Sequence, residues 1–325
     1  MTIHDRQALR QTADARIAQA TYAPRRLVLI SSGVSFGVAL LVAVLNHLLY
    51  RQVNLHGGGL SGMELRIMLE TAATVLQYAQ LIFVPFWSMG LFSSALRIAR
   101  SEPAEPGNLL DGFRRFGPVL RVHLLQVAIY MLIALACSYT GSFLFMMTPF
   151  ALPMVELLEP MLNLSTPEQM EAFLLSMDQE ALMKAMLPAL ILIGLMCIGL
   201  MIPAFYRMRL ANYIIMDEPR VGAFAAVRTS FRYLRRNCVA LLRVDLTFWP
   251  YYLLTALAMP LAYLDQLLPR FNMDLPMSED ALFFLGYGLY ILVSLALQVW
   301  MLHRVRVTEA LVYETLKPKE IKENV

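Results

Sequence analysis

The sequence has few charged residues, few cysteines and few histidines for its length. Charged residues make up 16% of its 325 residues and hydrophobic residues 58%, against about 25% and about 45–50% in an average soluble domain. The net charge of +3 is too small to indicate a nucleic-acid-binding protein. Three cysteines, none in a Cys-x-x-Cys spacing, exclude a disulfide framework and a typical zinc site. These shortages disfavour a soluble enzyme, a disordered chain and a disulfide-rich secreted domain, and they favour a membrane protein.

Motifs that would support catalysis are scarce as well. The sequence has no HExxH pair and no phosphate-binding Walker loop, and its five histidines show no metal-ligand spacing. An active site in a membrane protein still requires titratable groups gathered around a reaction centre. No such gathering is evident in the sequence. We therefore expect no enzymatic activity, no cofactor, no metal and no nucleic-acid partner.

Six long apolar stretches each have about the 20 residues that a helix needs to cross the hydrocarbon core of a bilayer. Backbone groups in that region must be paired internally, and the alternation typical of barrel strands is absent, so each stretch is predicted to be helical. The predicted fold class is all-α, a polytopic membrane protein with six transmembrane helices. A Gly33-x-x-x-Gly37 spacing in the first span predicts the close approach of a neighbouring helix. The predicted spans cover residues 27–50, 71–96, 122–148, 185–206, 238–264 and 281–302.

The basic residues predict the orientation of these spans. Of the 27 lysines and arginines, all but Arg51, Arg66, Lys184 and Arg270 lie before the first span, between spans two and three, between spans four and five, or after the last span. The positive-inside rule places these segments, and both termini, in the cytoplasm. The predicted division is a cytoplasmic N-terminal amphipathic segment (1–26), a membrane domain (27–302) and a cytoplasmic C-terminal tail (303–325).

Two of the cytoplasmic segments resemble each other. Residues 101–124 and 217–246 each leave a span, turn at a Glu-Pro pair, form a short amphipathic helix and enter the next span. Both run in the same direction, so the pattern indicates a parallel internal repeat with its axis along the membrane normal. His123 in the first copy and Asp245 in the second occupy matching places.

The two amphipathic helices carry the clearest charge pattern in the sequence. In the second copy, Phe224, Phe231 and Leu234 form an apolar stripe and four arginines fall largely on another face. Such helices lie in the interface of the inner leaflet, where they bind anionic lipid headgroups or a protein partner. The alternative is that the arginines only follow the positive-inside rule. The candidate lipid- or partner-facing residues are Arg228, Arg232, Arg235, Arg236, Arg114 and Arg115.

Polar residues inside the predicted spans form the second group of candidates. Asp245 lies about one turn inside the cytoplasmic end of the fifth span, and Arg243 points to a different face of the same helix. Arg207 or Arg209, at the end of the fourth span, is predicted to reach Asp245. The interpretations are a structural ion pair and a proton or ion relay that includes His123.

Two stretches of the sequence point to a family. Residues 206–219 read YRMRLANYIIMDEP, and residues 306–314 of the tail read RVTEALVYE. Together with the arginines of residues 6–16, they resemble the bacterial integral membrane family known as domain of unknown function 975. The resemblance covers most of the chain. It implies six spans and a place in the bacterial cytoplasmic membrane, without an established activity; related membrane domains precede some glycerophosphodiester phosphodiesterases.

Three functions are compatible with these observations. The preferred one is a non-enzymatic accessory or assembly protein that binds anionic lipids, a protein partner or a second copy of itself. A transporter or permease component is the alternative, favoured by prolines within the spans, by the repeat and by Asp245 with His123. A lipid-modifying membrane enzyme comes third, with Asp245, His123 and Arg243 as its titratable groups. The first is preferred because basic amphipathic helices are present whereas a catalytic constellation is not.

Overall fold

The computed structural model describes residues 5–56, 60–163, 176–270 and 277–318, together with Thr166, Gln169 and Phe173. Every regular element in this part of the chain is a helix, so the predicted all-α class is confirmed. The chain divides into two compact units, one formed by residues 1–123 and 209–325 and the other by residues 124–208.

The α-helices are connected by short turns of 3₁₀-helix and by loops, and one π-helical turn, Gln298–Leu302, interrupts the last long helix. The α-helices are α1 (Arg6–Gln19), α2 (Pro24–His56), α3 (Leu60–Ala99), α4 (Asp111–Arg114), α5 (Phe116–Met146), α6 (Leu152–Leu158), α7 (Gln179–Met208), α8 (Ala211–Asp217), α9 (Ala223–Leu234), α10 (Cys238–Asp245), α11 (Trp249–Ala258), α12 (Leu264–Arg270), α13 (Glu279–Leu297) and α14 (His303–Leu316). The 3₁₀ turns are Pro106–Leu110, Pro149–Ala151, Glu159–Asn163, Leu246–Phe248 and Met259–Tyr263.

Five helical segments of the described chain are long and apolar enough to cross a membrane. Each contains most of one predicted span and extends beyond it at one end or at both. The structure therefore supports the membrane class that composition indicated. The five segments are Pro24–Leu49, Ile67–Ala99, Phe116–Met146, Glu180–Asp217 and Asp280–Leu316.

The remaining predicted span, 238–264, is not one continuous helix. It is divided among α10, α11 and the start of α12, with 3₁₀ turns between them. Pro250 lies in the first turn of α11, and Pro260 in the first turn of the second 3₁₀ segment. Proline has no N–H to donate and collides with the preceding turn, which disfavours a regular α-helix before it. The sixth predicted span is therefore not confirmed as a helix of membrane-spanning length.

The helices of the first unit gather around the end of α3. Helices α1, α4, α8 and α14 all pack against it, and residues 86–99 of α3 are therefore mostly buried, whereas residues 67–82 are mostly exposed. The Arg304 side chain of α14 lies 3.2 Å from Asp14 of α1. The arginine-rich segments that were predicted to share one side of the membrane thus meet at one end of this unit. We call it the arginine-rich end.

Two glycines let the segment 106–114 lie directly on α3. A Cβ atom at Gly90 would stand 2.1 Å from the carbonyl oxygen of Leu109, and one at Gly112 would stand 1.9 Å from that of Phe86. Backbone meets backbone at both places, so neither position has room for a side chain. By contrast, nothing lies within 4 Å of a Cβ built on Gly33. The same holds at Gly37, so the close helix approach predicted at Gly33 and Gly37 was wrong.

The two stretches predicted to form a repeat take different local structures. The first is split into a 3₁₀ turn and the single turn of α4, because Pro106 and three glycines interrupt it. The second forms the three regular turns of α9 after an alanine-rich start. The amphipathic helix predicted in the first copy is thus reduced to one turn, packed on α3.

The second unit, described by itself, is built on the antiparallel pair of α5 and α7. Buried Phe145 packs with buried Ala189, and a Cβ at Gly141 would lie 2.6 Å from Ile193. These contacts recur at four-residue steps, as expected of two helices in close register. Many large side chains on the outer faces of α5 and α7 are exposed, as on helices that lie in lipid.

Candidate functional site

A network of buried charges lies at the arginine-rich end of the first unit. Arg209 follows α7, Asp245 ends α10 and Glu309 lies in the middle of α14. One terminal nitrogen of Arg209 donates to Asp245 and the other to Glu309. The three side chains are 9%, 10% and 3% exposed respectively. A single guanidinium therefore joins three segments that lie far apart in the sequence.

The second oxygen of Glu309 has partners of its own. Arg306 Nη1 donates to it at 3.0 Å, and the Tyr213 hydroxyl lies 3.0 Å both from it and from the carbonyl oxygen of Arg306. The Arg306 guanidinium stands over the Phe92 ring, 4.3 Å from its centroid. Two arginines thus face two carboxylates. Because removing an ion from water costs several kcal/mol in a protein interior, such a cluster persists only when its charges are paired.

A second, more exposed cluster adjoins the first and is centred on Asp217 at the end of α8. Arg100 donates to both of its oxygens at 2.8 Å, and the Tyr313 hydroxyl and Lys317 Nζ donate to it at 2.8 and 2.7 Å. Arg100 also binds Glu314, at 2.6 Å. The rings of Tyr213 and Tyr313 stack with their centroids 6.0 Å apart, which joins the two clusters. We call the two clusters together the buried network.

Two cations of this second cluster, Arg100 and Lys317, lie outside the segments of membrane-spanning length. The pKa of each is raised above its ordinary value. The hydrogen bond to Asp217 is the largest cause that raises the pKa of Arg100. Partial burial lowers the pKa of Lys317, but its hydrogen bonds to Asp217 and Glu218 outweigh that effect and raise the pKa overall. Both side chains are therefore fixed positive charges at neutral pH.

The paired charges of the network hold helices together. Each of its carboxylates is satisfied by cations of the chain itself, which leaves no free base. Among the residues that the structure describes, no group of three His, Cys, Asp or Glu side chains could hold a metal ion. Residues 33–37 read GVSFG, which matches a nucleophile-elbow pattern, but they lie inside α2 and not at the required strand-to-helix turn.

The structure brings some of the predicted intramembrane residues together and separates others. The predicted contact between Arg209 and Asp245 is confirmed, and Arg243 is exposed on another face, as expected. His123 does not join them: its Nδ1 atom is buried without a hydrogen-bond partner in the described part of the chain. A relay role for these residues stays a prediction.

The predicted arginine face of α9 is exposed, but the opposite side of the helix differs from the prediction. Arg228 and Arg232 of α9, and Arg235 and Arg236 in the turn that follows it, are all exposed, and we call these four residues the arginine face of α9. Helix α9 packs on α8 and buries its small and branched residues together with Leu234. Phe224, which was predicted to belong to the apolar stripe, is 72% exposed and lies one turn from Arg228. Of the predicted stripe, Leu234 is therefore buried against the protein, Phe231 is partly buried and Phe224 is exposed. The placement of this helix in the lipid interface stays a prediction.

The two candidate arginines of the first copy have different surroundings. Arg114 is mostly exposed and lies 3.2 Å from Asp111, one turn before it. Arg115 donates a hydrogen bond to the carbonyl oxygen of Met216 at the end of α8. Arg115 therefore supports the packing of α8, and only Arg114 is turned outward.

Sequence reasoning missed most of the buried network. Glu309, Arg306, Tyr213, Asp217 and Arg100 were not candidates, although a signal for them was present. All but Arg100 lie in the two stretches, 206–219 and 306–314, on which the family resemblance rests. The structure shows that these two stretches are folded against each other, which the sequence pattern of either one does not reveal.

Comparison with known proteins identifies the family. A family model described as "Protein of unknown function (DUF975)" matches residues 1–320, nearly the whole chain. The chain belongs to this family. No curated protein matches the chain, and no solved structure does. The stretches that meet in the buried network thus belong to a member of the DUF975 family, whose description assigns no activity.

Proposed function

We propose that this DUF975 protein is a non-enzymatic, multi-pass protein of the bacterial cytoplasmic membrane that binds anionic lipid headgroups through the arginine face of α9. The proposal rests on one observation. Helix α9 is anchored by its apolar side to α8, and Arg228, Arg232, Arg235 and Arg236 are turned away from the protein. Residues 223–236 contain no acidic residue. An accessory or assembly role in the membrane follows from a charged surface held in a fixed position beside the bilayer.

The charge of this face matches an anionic membrane surface. Each arginine near such a surface contributes about 1 kcal/mol to binding. Phe224 is exposed next to Arg228, where an aromatic ring can enter the headgroup region. A second protein is the competing occupant, and the experiment below separates the two.

Two contacts of the first unit support a sixth, interrupted crossing by residues 238–270. Asp245 belongs to the buried network, whose Arg306 lies near Pro24 at the start of α2. Asp280 accepts a hydrogen bond from His47, close to the other end of α2, at 2.8 Å. From residue 25 to residue 47 a helix rises about 33 Å, which is close to the hydrocarbon thickness of about 30 Å. The chain between Asp245 and Asp280 must cover that distance.

Contacts at the same end of the first unit support the placement of both termini on one side of the membrane. Helices α1 and α14 are packed together and linked by Arg304 and Asp14. An even number of crossings is needed to return the chain to the side where it began. The five long helices and the interrupted segment 238–270 together give six. Reporter fusions ending near residue 236 should therefore behave as cytoplasmic, and fusions ending near residue 274 as external; the opposite result at either site would refute this topology.

The lipid proposal is tested on the full-length protein purified in detergent. Adding phosphatidylglycerol should raise the melting temperature of the protein, whereas phosphatidylcholine should raise it much less. Changing Arg228, Arg232, Arg235 and Arg236 together to Gln should remove most of the difference between the two lipids. Changing the same four residues to Lys should preserve it, because the charge remains. An unchanged difference in the Gln variant would overturn the proposal and favour a protein partner.

A permease component is the second candidate, and the interrupted segment 238–270 is the observation that favours it. Discontinuous helices are frequent in transporters, where their ends line a substrate site. This candidate requires water to reach the middle of that segment. Cysteines placed one at a time over residues 250–262 in a cysteine-free background should then react with a membrane-impermeant thiol reagent. Uniformly unreactive cysteines would eliminate the permease and leave the accessory role.

A further inference from the structure

An open groove runs along the first unit between α2 and the end of α13. Its volume is about 490 Å³, within the range of about 300–1,000 Å³ that is usual for small-molecule sites. Its walls are apolar, and among the residues that the structure describes Arg25, at the arginine-rich end, is the one charged side chain that lines it. The residues that form it include Arg25, Leu29, Leu292, Ala296, Val299 and Trp300.

The sequence explains why a groove forms at this place. The π-helical turn Gln298–Leu302 contains Val299 and Trp300, and such a turn holds one residue more than an α-helical turn, which displaces the backbone locally. The turn is fixed by Gln298, which accepts a hydrogen bond from Ser32 of α2 at 2.5 Å. Ala296 has too small a side chain to fill the space. Single-turn π bulges of this kind are frequent at functional sites.

The groove is open on a surface that faces lipid in the proposed topology. Leu29, Leu292 and Trp300 are 47%, 64% and 48% exposed on helices of membrane-spanning length. A site with such walls in the acyl region binds hydrocarbon chains. Trp300 lies near the arginine-rich end of its helix, the level at which tryptophan is enriched in membrane proteins.

At one end of the groove, the positive charge of Arg25 stands beside the apolar walls. Arg25 is exposed in the first turn of α2, and it has no acidic partner in the described part of the chain. Neighbouring Arg304 is already paired with Asp14. Guanidinium groups bind phosphate through parallel hydrogen bonds. An apolar groove that ends at an unpaired arginine is complementary to a phospholipid.

We propose that this groove binds one phospholipid molecule, with an acyl chain between α2 and α13 and the phosphate on Arg25. The inference rests on the membrane placement argued above and adds a second lipid site, of a different kind. The arginine face of α9 attracts many headgroups by charge alone. The groove holds a single lipid by its chain and its phosphate together.

The test counts lipids bound to the full-length protein by native mass spectrometry during a titration with phosphatidylglycerol. Arg25→Gln should weaken the tightest binding step about tenfold, the loss expected for one charge-assisted hydrogen bond. Ala296→Phe should weaken the same step by filling the groove. Arg26→Gln is the matched control for charge, because Arg26 is the next residue and does not line the groove; Ala136→Phe, at an exposed position of α5, is the control for size.

A diacylglycerol with the same chains is the second probe, since it lacks the phosphate. It should bind the tightest site about tenfold more weakly than phosphatidylglycerol, and Arg25→Gln should not weaken it further. Equal effects of Arg25→Gln and Arg26→Gln would overturn the proposal, as would diacylglycerol binding as tight as that of the phospholipid. Loss of this step in the Arg25 variant, with the lipid-dependent melting temperature intact, would support the groove separately from the arginine face. Loss of the lipid-dependent rise in melting temperature, with the tightest binding step intact, would support the arginine face of α9 separately from the groove.

Discussion

Arginine is used in two opposite ways at the same end of this protein. In the buried network, Arg209 and Arg306 are enclosed and each is paired with Glu309. On the arginine face of α9, which lies between Arg209 and Arg306 in the sequence, four arginines are exposed on a stretch without acids. The comparison shows that the surroundings, and not the residue type, decide the role. A charge that is satisfied inside the protein joins helices, and a charge left outside needs a partner that the chain does not supply.

The largest expected effect tests the enclosed arginines. Glu309→Gln removes the carboxylate that faces both Arg209 and Arg306, so two buried cations lose their shared partner. Breaking a buried pair in this way costs about 3–5 kcal/mol of unfolding free energy. The melting temperature of the variant in detergent should fall sharply. Glu102→Gln, at an exposed position, is the control and should change stability by less than about 0.5 kcal/mol.

A milder substitution separates the effect of the guanidinium geometry of Arg209 from the effect of its charge. Arg209→Lys keeps the positive charge, but a single ammonium group cannot repeat the two hydrogen bonds that reach Asp245 and Glu309 from separate nitrogens. We expect a loss of about 1.5–3 kcal/mol, the contribution of one hydrogen bond to a charged group. Arg232→Lys on α9 should be neutral. Similar losses in both variants, measured by thermal unfolding, would contradict the distinction between the two kinds of arginine.

The smallest effect concerns the segment that carries Arg114 and Arg115. Gly112→Ala forces a methyl group against the Phe86 carbonyl of α3 and should cost about 1–3 kcal/mol. Displacement of the segment would also weaken the hydrogen bond from Arg115 to α8. Gly33→Ala is the matched control: open space surrounds it, and alanine favours the helix by up to about 1 kcal/mol. Equal destabilisation by both substitutions would show that the close contact is unimportant.

Much of the fold could be predicted because apolar length is a local property. Five of the predicted spans correspond to long helices, since each requires only that one stretch exclude water over its length. The interruption of 238–264 is also local in origin, through Pro250 and Pro260. The prolines within the spans were weighed in favour of a permease, but the positions of the 3₁₀ turns were not predicted, because proline is common in membrane helices and does not always end them.

The site was predicted only in part, for a different reason. Arg209 and Asp245 could be paired in advance because they flank consecutive spans. Glu309 could not be added to them, since it lies far along the chain in what was assigned as a cytoplasmic tail. The burial of Leu234 and the exposure of Phe224 on the same predicted stripe could not be told apart in advance, because the periodicity of one helix does not show which of its faces a neighbouring helix covers.

By itself, the sequence determined the helical class, the positions of most apolar helices and the concentration of arginine in a few segments. These follow from hydropathy and charge, which act within short stretches of chain. Only the tertiary structure decided which arginines are buried, which carboxylates they meet, and where α2 and α13 leave a groove. Those outcomes depend on which segments pack together, and a charge changes from a solvated surface group to a structural link only when a distant part of the chain encloses it.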